Sequence, residues 1–219
     1  MEKINKYIDH TILKQNTLSG SVERVCAEAI EYNFASVCIP PTYVPLSAEL
    51  LKNSSVDVCT VIGFPLGYSD TQAKLKESEI ALNQGCSELD MVINLTHIQN
   101  EDYGKVEAEI KELADLVHNG NALLKVIIET CLLSKEQKII CCQLVSNAGA
   151  DYIKTSTGFS TGGATIADIQ LMKENVSENV KIKASGGIKS LEFTRQLIAA
   201  GASRIGTSSG VQIMEDSIE

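Results

Sequence analysis

Runs rich in valine and isoleucine alternate with amphipathic segments along the whole chain. Eight of these runs have the length and the β-branched content of strands. The predicted strands cover residues 6–10, 35–40, 57–64, 88–94, 123–130, 151–156, 181–186 and 203–208. The segments between them show helical spacing, so the pattern predicts a series of strand–helix units.

Two apolar stripes have the spacing of a helix that packs one face on a core. The first is Val22, Val25, Cys26, Ala29 and Ile30, and the second is Val106, Ile110, Leu113 and Val117. Two Ser-x-x-Gln pairs have the spacing of a capping box, which indicates the start of a helix. They are Ser69 with Gln72 and Ser134 with Gln137. Glycines predict the ends of three helices just before a strand: Gly85, Gly149 and Gly201.

Eight units in 219 residues leave about 27 residues for each strand, helix and pair of loops. Parallel strands need helical crossovers of this kind, and no Pro/Gly/Ser-rich linker divides the sequence. We therefore predict a single α/β domain over residues 1–219, folded as a (β/α)8 TIM barrel. A doubly wound open sheet is the alternative, but no G-x-G-x-x-G motif follows the first predicted strand.

The composition narrows the class of protein. Hydrophobic residues make up 44% of the chain and charged residues 21%, which disfavours disordered and fibrous classes. No apolar run is long enough to span a bilayer, and the N-terminus lacks a leader-like apolar core, so we expect no membrane partner and a cytoplasmic location. The seven cysteines form no C-x-x-C pair and are odd in number, so we expect reduced, mostly buried thiols.

The charge balance bears on possible partners. A net charge of −9 and a pI near 4.9 disfavour nucleic acid, which requires a basic surface. The lack of tryptophan and an aromatic content of 5% leave little material for base stacking. A small anionic substrate is still compatible, because a local site can oppose the global charge. His10, His97 and His118 have no ligand spacing, so we expect no metal site.

Asp90, Lys154 and Lys183 lie inside predicted strands and close to their C-terminal ends. In a TIM barrel the catalytic groups lie at those ends. Because side chains alternate along a strand, all three residues can face the barrel interior and share one pocket. The alternative is that each lysine lies at a solvated strand end or pairs with a carboxylate.

Two lysines beside an aspartate have a specific chemical use. A lysine near a second cation in a poorly solvated pocket tends to have a lowered pKa and can attack a carbonyl as a neutral amine. The aspartate can move protons during carbinolamine formation and carbon–carbon cleavage, so the constellation indicates class I aldolase chemistry. Lys125 shares a strand face with Glu129, which favours a buried ion pair between them; support for Asp90 is the alternative role.

Glycine-rich stretches follow the last two predicted strands. They are "SGGI" at 185–188 and "GTSSG" at 206–210, in the loops where barrels often bind phosphate. Backbone N–H groups there, with the hydroxyls of Ser208 and Ser209, can form an anion site. Ordinary turn chemistry is the alternative interpretation of these glycines.

Eight motifs follow one another over nearly the whole chain: "YIDHTILK", "VCIPPTYV", "TVIGFPLG", "ELDMVIN", "LLKVIIET", "DYIKTSTGFSTGGAT", "KIKASGGI" and "RIGTSSG". In this order they resemble the family of bacterial deoxyribose-phosphate aldolases. The resemblance implies a TIM barrel that needs no metal or cofactor and reversibly cleaves 2-deoxy-D-ribose 5-phosphate into D-glyceraldehyde 3-phosphate and acetaldehyde, in deoxynucleoside breakdown. The alternatives are a class I aldolase for a different sugar phosphate and a non-catalytic phosphosugar-binding barrel.

The resemblance also implies residue roles. Lys154 matches the Schiff-base lysine, Lys183 the lysine that perturbs its pKa and relays protons, and Asp90 the proton-shuttling acid. The residues expected to contact the substrate or its phosphate are Asp9, Thr11, Cys38, Thr157, Gly158, Gly186, Gly187, Gly206, Ser208 and Ser209. A small sugar phosphate is the expected partner, and a homodimer is compatible with a barrel because its outer helices can form interfaces.

Two positions depart from the family pattern. Where "VCVNP" is expected, Pro40 follows Ile39, so an amide side chain and a backbone N–H are lost from the loop after the second strand. Cys131 stands where the family often has glycine, which bears on the loop after the fifth strand. Neither change touches the three residues expected to carry the chemistry.

Overall fold

Eight parallel strands form a closed barrel in the computed structural model, which describes residues 4–217. The strands are β1 (Ile8–Thr11), β2 (Ser36–Ile39), β3 (Asp57–Ile62), β4 (Glu88–Val92), β5 (Leu123–Ile127), β6 (Tyr152–Lys154), β7 (Lys181–Ser185) and β8 (Arg204–Thr207). Each strand pairs with its neighbours in chain order, and β8 closes the barrel on β1. The TIM barrel predicted from the sequence is confirmed.

Helices connect the strands around the outside of the barrel. They are α1 (Ser19–Glu31), α2 (Val44–Leu51), α3 (Thr71–Asn83), α4 (Leu95–Gln99), α5 (Tyr103–Asn119), α6 (Lys135–Asn147), α7 (Ile166–Asn175), α8 (Leu191–Ala200) and α9 (Gly210–Asp216). Short 3₁₀ turns cover Ile4–Tyr7, Pro41–Tyr43 and Thr130–Leu132. Within residues 4–217, every helix is too short or too polar to cross a membrane.

The two predicted stripes form the buried faces of α1 and α5. On α5 the whole stripe is buried: Val106, Ile110, Leu113 and Val117. On α1 the stripe is buried as predicted except for Ile30, which is 47% exposed. Ile30 lies about 100° further round the helix than Ala29, which places it at the margin of the buried face.

One of the two predicted capping boxes is confirmed. At the start of α6, the Ser134 hydroxyl accepts a hydrogen bond from the Gln137 N–H, and the Gln137 side chain accepts one from the Ser134 N–H. The predicted box at Ser69 is wrong, because α3 begins after Asp70, whose carboxylate accepts from the N–H of Gln72. A carboxylate caps as well as a hydroxyl and its charge also favours a helix N-terminus, which explains the preference.

Glycines end three helices as predicted. Gly85, Gly149 and Gly201 follow α3, α6 and α8 with φ of 99°, 79° and 126°. Glycine adopts these angles without the steric cost that a Cβ imposes, so the chain can turn directly toward the next strand.

The barrel interior carries charge, whereas the apolar core lies between the strands and the helices. Seven buried charged residues belong to the strands and come together inside the barrel: Asp9, Glu88, Asp90, Lys125, Lys154, Lys183 and Arg204. The strand register explains their proximity. Asp90 pairs with Lys125 across β4 and β5. Lys183 pairs with Lys154 on one side and with Arg204 on the other.

Candidate active site

Asp90 is the hub of the buried charges. Its Oδ2 accepts hydrogen bonds from the ammonium groups of Lys154 and Lys183, each at 2.6 Å. Its Oδ1 accepts a third from Lys125 at 2.9 Å. The three residues that the sequence assigns to the chemistry therefore lie in direct contact, with Lys125 bound to the other side of the same carboxylate.

A second layer of charged groups lies beneath this hub. Asp9 binds Lys183 at 2.5 Å and also accepts a hydrogen bond from Arg204. Glu88 binds Lys125 at 2.7 Å and accepts from Arg204 as well. Arg204 therefore bridges the two carboxylates that hold two of the three lysines.

The cluster contains one more cation than carboxylate. Its four cations are Lys125, Lys154, Lys183 and Arg204, and its three carboxylates are Asp9, Glu88 and Asp90. With every group ionised it carries one uncompensated positive charge, which is costly in a buried site. The side chain of Lys154 is 4% exposed and lines a cavity, whereas those of Lys125 and Lys183 are 0% exposed. Lys154 is therefore the amine of the cluster that can react with a bound molecule.

The surrounding charges keep the central groups ionised. Burial by itself raises the pKa of Asp90, but its three ammonium neighbours outweigh burial and hold this pKa well below its usual value. Burial also raises the pKa of Asp9, and the cations around it again bring the pKa below the usual value. For Lys125 and Lys183 burial lowers the pKa, but the neighbouring carboxylates outweigh burial and raise both values.

These shifts predict how stability depends on pH. Because the pKa values of Asp9 and Asp90 are depressed in the folded state, their contribution is complete above the unfolded value of about 3.9 and is lost as the pH falls through the folded values. The raised pKa values of Lys125 and Lys183 give a contribution that is complete below about pH 10.4 and is lost as the pH rises. We expect the free energy of unfolding, measured with urea, to decrease when the pH lies below or above this range. An Asp9→Asn variant is expected to lose less stability in acid than the wild type, because it lacks one of these carboxylates. An unchanged acid dependence would contradict the assignment of this effect to Asp9.

A cavity of ≈ 370 Å³ opens at the C-terminal ends of β6, β7 and β8. Barrel enzymes carry their chemistry on this face, and the volume is that of a small-molecule site. Besides Lys154, the predicted site residues that line it are Thr11, Thr157, Gly158, Gly186, Gly187, Gly206 and Ser208.

The loops on the β6–β8 side of the cavity offer backbone N–H groups to an anion. Gly158, Gly186 and Gly187 have φ of 84°, 88° and 77°. The N–H groups of these glycines and of Ser208 have no hydrogen-bond partner within residues 4–217. Free N–H groups on adjacent loops form concave anion sites, so this side of the cavity fits the phosphate of a substrate.

Gly206 packs closely against Lys183 and Ser185. A Cβ at this position would lie 3.0 Å from the Cβ of Ser185 and 3.2 Å from the Cε of Lys183. Both distances are tighter than ordinary contacts between packed carbon atoms, so a larger residue would crowd the side chains of Ser185 and Lys183. Close packing therefore favours glycine at this position.

Three predicted substrate contacts lie away from this cavity. Asp9 is fully buried and bound to Lys183, because it lies two residues before the end of β1. Cys38 is fully buried beside its register partner Cys59, and it is not among the described residues that line the cavity. Ser209 precedes the first residue of α9 and lines a neighbouring groove between α1 and α9.

The predicted ion pair between Lys125 and Glu129 is wrong. The strand β5 ends two residues before Glu129, whose φ is +51°, so the alternation of side chains does not extend to it. Lys125 instead binds Asp90 and Glu88, in line with the alternative prediction that it supports Asp90. Glu129 binds Thr157 through both carboxylate oxygens.

The sequence analysis missed two members of the cluster, Glu88 and Arg204, and the thiol of Cys59 beside it. The Cys59 Sγ lies 3.2 Å from the Asp90 Oδ1 and 3.2 Å from the Lys125 Nζ. Glu88 could have been found, because it shares the strand parity of Asp90. Arg204 and Cys59 could not, because their proximity depends on the register between strands, which the pattern of a single strand does not reveal.

Cys38, Cys59 and Asp90 have potential ligand atoms within 4.8 Å of one another. Two thiols and a carboxylate suit a divalent transition metal in a neutral setting. Here Asp90 already binds three ammonium groups, and burial raises the pKa of the Cys59 thiol far above its usual value, which opposes the thiolate that a metal needs. The electrostatics therefore do not fit a metal site.

Comparison with known proteins agrees with this geometry. A family model described as DeoC/LacD family aldolase matches residues 3–216. A deoxyribose-phosphate aldolase from Clostridium perfringens is 52% identical over 217 residues, which cover 99% of this chain and 96% of that protein. One from Streptococcus suis is 54% identical over 212 residues, which cover 97% and 96%.

Solved structures extend the likeness to the fold. A deoxyribose phosphate aldolase from Aeropyrum pernix, described as tetrameric, matches with a TM-score of 0.92 and 31% identity. The match covers 99% of this chain and 91% of that one. The chain belongs to the DeoC/LacD family of aldolases.

Proposed function

We propose that this chain is a metal-independent class I aldolase that reversibly cleaves 2-deoxy-D-ribose 5-phosphate into D-glyceraldehyde 3-phosphate and acetaldehyde, through a Schiff base on Lys154. The observation that carries the proposal is the position of Lys154, which lines the cavity and donates a hydrogen bond from its amine to Asp90. The relatives named deoxyribose-phosphate aldolase support the choice of substrate.

The reaction begins when the neutral amine of Lys154 attacks C1 of the open-chain sugar. Asp90 and Lys183 share one hydrogen bond at 2.6 Å, so they can pass a proton to the carbinolamine oxygen, which leaves as water and gives the iminium ion. The iminium nitrogen then accepts the electron pair of the C2–C3 bond as that bond breaks. The C3 hydroxyl loses its proton and becomes the aldehyde of D-glyceraldehyde 3-phosphate.

The second half of the reaction releases the two-carbon product. The remaining enamine gains a proton at C2, and water then hydrolyses the iminium to acetaldehyde and free Lys154. The contacts of the Asp90 Oδ2 with both Lys154 and Lys183 support the assignment of these proton transfers to Asp90. The substrate phosphate binds the free N–H groups of Gly158, Gly186 and Ser208, which anchors the three-carbon half during bond cleavage.

Borohydride trapping tests the nucleophile directly. We expect incubation with 2-deoxyribose 5-phosphate and sodium borohydride to leave a reduced adduct on the peptide that contains Lys154, because hydride converts the iminium ion to a stable secondary amine. Peptide mass spectrometry locates the adduct. The matched control is 2-deoxyribitol 5-phosphate, which has no carbonyl and is expected to leave the mass unchanged. An adduct on Lys183 would reverse the two roles, and the absence of any adduct in folded protein would refute the Schiff-base mechanism.

Three further predictions from the sequence belong with this proposal. They are a single domain over residues 1–219, a cytoplasmic location, and a homodimer. Residues 1–3 and 218–219 of this domain lie outside the described part of the chain. An outer layer of barrel helices is compatible with subunit contacts. Light scattering after size-exclusion chromatography measures the oligomeric state, and fractionation of cells measures the location.

A further inference from the structure

We propose that Glu129 is a positioning residue for the phosphate side of the active site. It holds the segment Thr157–Phe159, named here the β6 loop segment, so that the N–H of Gly158 can bind the substrate phosphate. The inference rests on the proposed function, because it concerns how the same cavity recognises its substrate.

Both oxygens of the Glu129 carboxylate accept hydrogen bonds from Thr157. Glu129 is 2% exposed. Oε1 accepts a hydrogen bond from the Thr157 N–H at 3.2 Å, and Oε2 accepts one from the Thr157 hydroxyl. A buried carboxylate is costly unless hydrogen bonds satisfy it, so these two bonds fix Thr157 firmly.

The contacts of Thr157 determine what the rest of the segment can bind. Its hydroxyl accepts a hydrogen bond from the Phe159 N–H at 3.1 Å. The N–H groups on both sides of Gly158 are therefore used within the protein, while that of Gly158 has no partner among residues 4–217. Gly158 lines the cavity with a φ of 84°, which favours glycine. The segment thus presents one free donor where the phosphate is expected.

The backbone of Glu129 is held in an unfavourable conformation. Its φ and ψ of 51° and 66° lie in the left-handed region, which is uncommon for a residue with a side chain. The residues on either side of Glu129 are hydrogen-bonded to the last residue of β6 and to the residue after it. The Ile128 N–H donates to the Lys154 carbonyl at 3.0 Å, and the Thr130 N–H donates to the Thr155 carbonyl at 2.9 Å. Strained residues persist where the surroundings impose them and are frequent at functional sites. In this conformation the Glu129 carboxylate meets both the N–H and the hydroxyl of Thr157.

The far end of the β6 loop segment is also packed. The ring of Phe159 meets that of Phe64 edge to face with centroids 5.3 Å apart. Such a contact orients the ring, but an aromatic pair alone leaves the backbone between Thr157 and Phe159 free to rotate. Glu129 supplies the second fixed point, so the segment is held at both ends.

The test compares two substrates and one ligand in two variants, Glu129→Gln and Thr157→Val. We expect kcat/KM for 2-deoxyribose 5-phosphate to fall about tenfold or more, mainly through KM, because loss of a charge-assisted hydrogen bond frees the segment. We expect kcat/KM for 2-deoxyribose, which has no phosphate, to change less than about threefold. Calorimetry is expected to show about tenfold weaker binding of inorganic phosphate. Thr157→Ser keeps the hydroxyl that Glu129 binds, so we expect it to lose less phosphate affinity than Thr157→Val.

Glu109→Gln is the matched control. Glu109 is also buried, at 3% exposure, and its carboxylate binds the ammonium of the buried Lys74 at 2.9 Å and the Asn94 N–H at 3.2 Å. We expect it to leave the ratio between the two substrates unchanged. An equal loss for both substrates in Glu129→Gln, or unchanged phosphate binding, would overturn the inference. The binding of inorganic phosphate tests the role of Glu129 even if the protein cleaves neither sugar. A failure of the proposed function can therefore be distinguished from a failure of this inference.

Discussion

Replacing Lys154 with methionine is expected to lower kcat for cleavage of 2-deoxyribose 5-phosphate by at least about 10⁴-fold. Methionine retains an unbranched apolar stem of similar shape but cannot form an imine. The other lysines of the cluster are fully buried beneath the cavity, so neither of their amines can take over the attack. The measurement is the rate of D-glyceraldehyde 3-phosphate release at saturating substrate, together with the free energy of unfolding to show that the variant is folded.

Lys181→Met is the matched control for this substitution. Lys181 lies on β7 two residues before Lys183 and has the same strand parity, but it is exposed at the start of the strand. Its ammonium lies 5.7 Å from the centre of the Tyr152 ring, and Lys181 is not among the described residues that line the cavity. We expect its kcat to stay within about twofold of wild type. A Lys154→Met enzyme as active as this control would exclude the Schiff-base mechanism.

The fold could be predicted because its signals are local. Strand and helix periodicities, a capping box and three glycine ends each depend on a few neighbouring residues. Strand ends are less predictable, as β6 illustrates, since the extended pattern runs to residue 156 but the strand ends at Lys154. Beyond it the Thr155 hydroxyl binds the carbonyl of Ser185, which takes the chain out of the regular strand pattern.

The site could be predicted only in part, because its charges interact across strands. Parity placed Asp90, Lys154 and Lys183 on inward faces, and the structure brings all three together. The same argument failed for Glu129, because the strand ends before this residue and its backbone turns into the left-handed region. It could not reveal that Arg204, at the start of β8, reaches Glu88 on β4, because that contact crosses the interior of the closed barrel.

Replacing Arg204 with methionine is expected to lower the free energy of unfolding by about 3–5 kcal/mol, the usual cost of removing one partner from a buried ion pair. The guanidinium bridges Asp9 and Glu88, and both carboxylates would lose a cation inside the barrel. Urea unfolding at neutral pH measures the change. A loss below about 1 kcal/mol, the range of exposed ion pairs, would show that the bridge does not support the barrel.

Arg204→Lys is the matched variant for this substitution. It keeps the positive charge but loses the planar fork that spans the two carboxylates, so we expect it to lose less stability than Arg204→Met. Equal losses in the two variants would show that the bridge depends on the shape of the guanidinium and not on its charge alone.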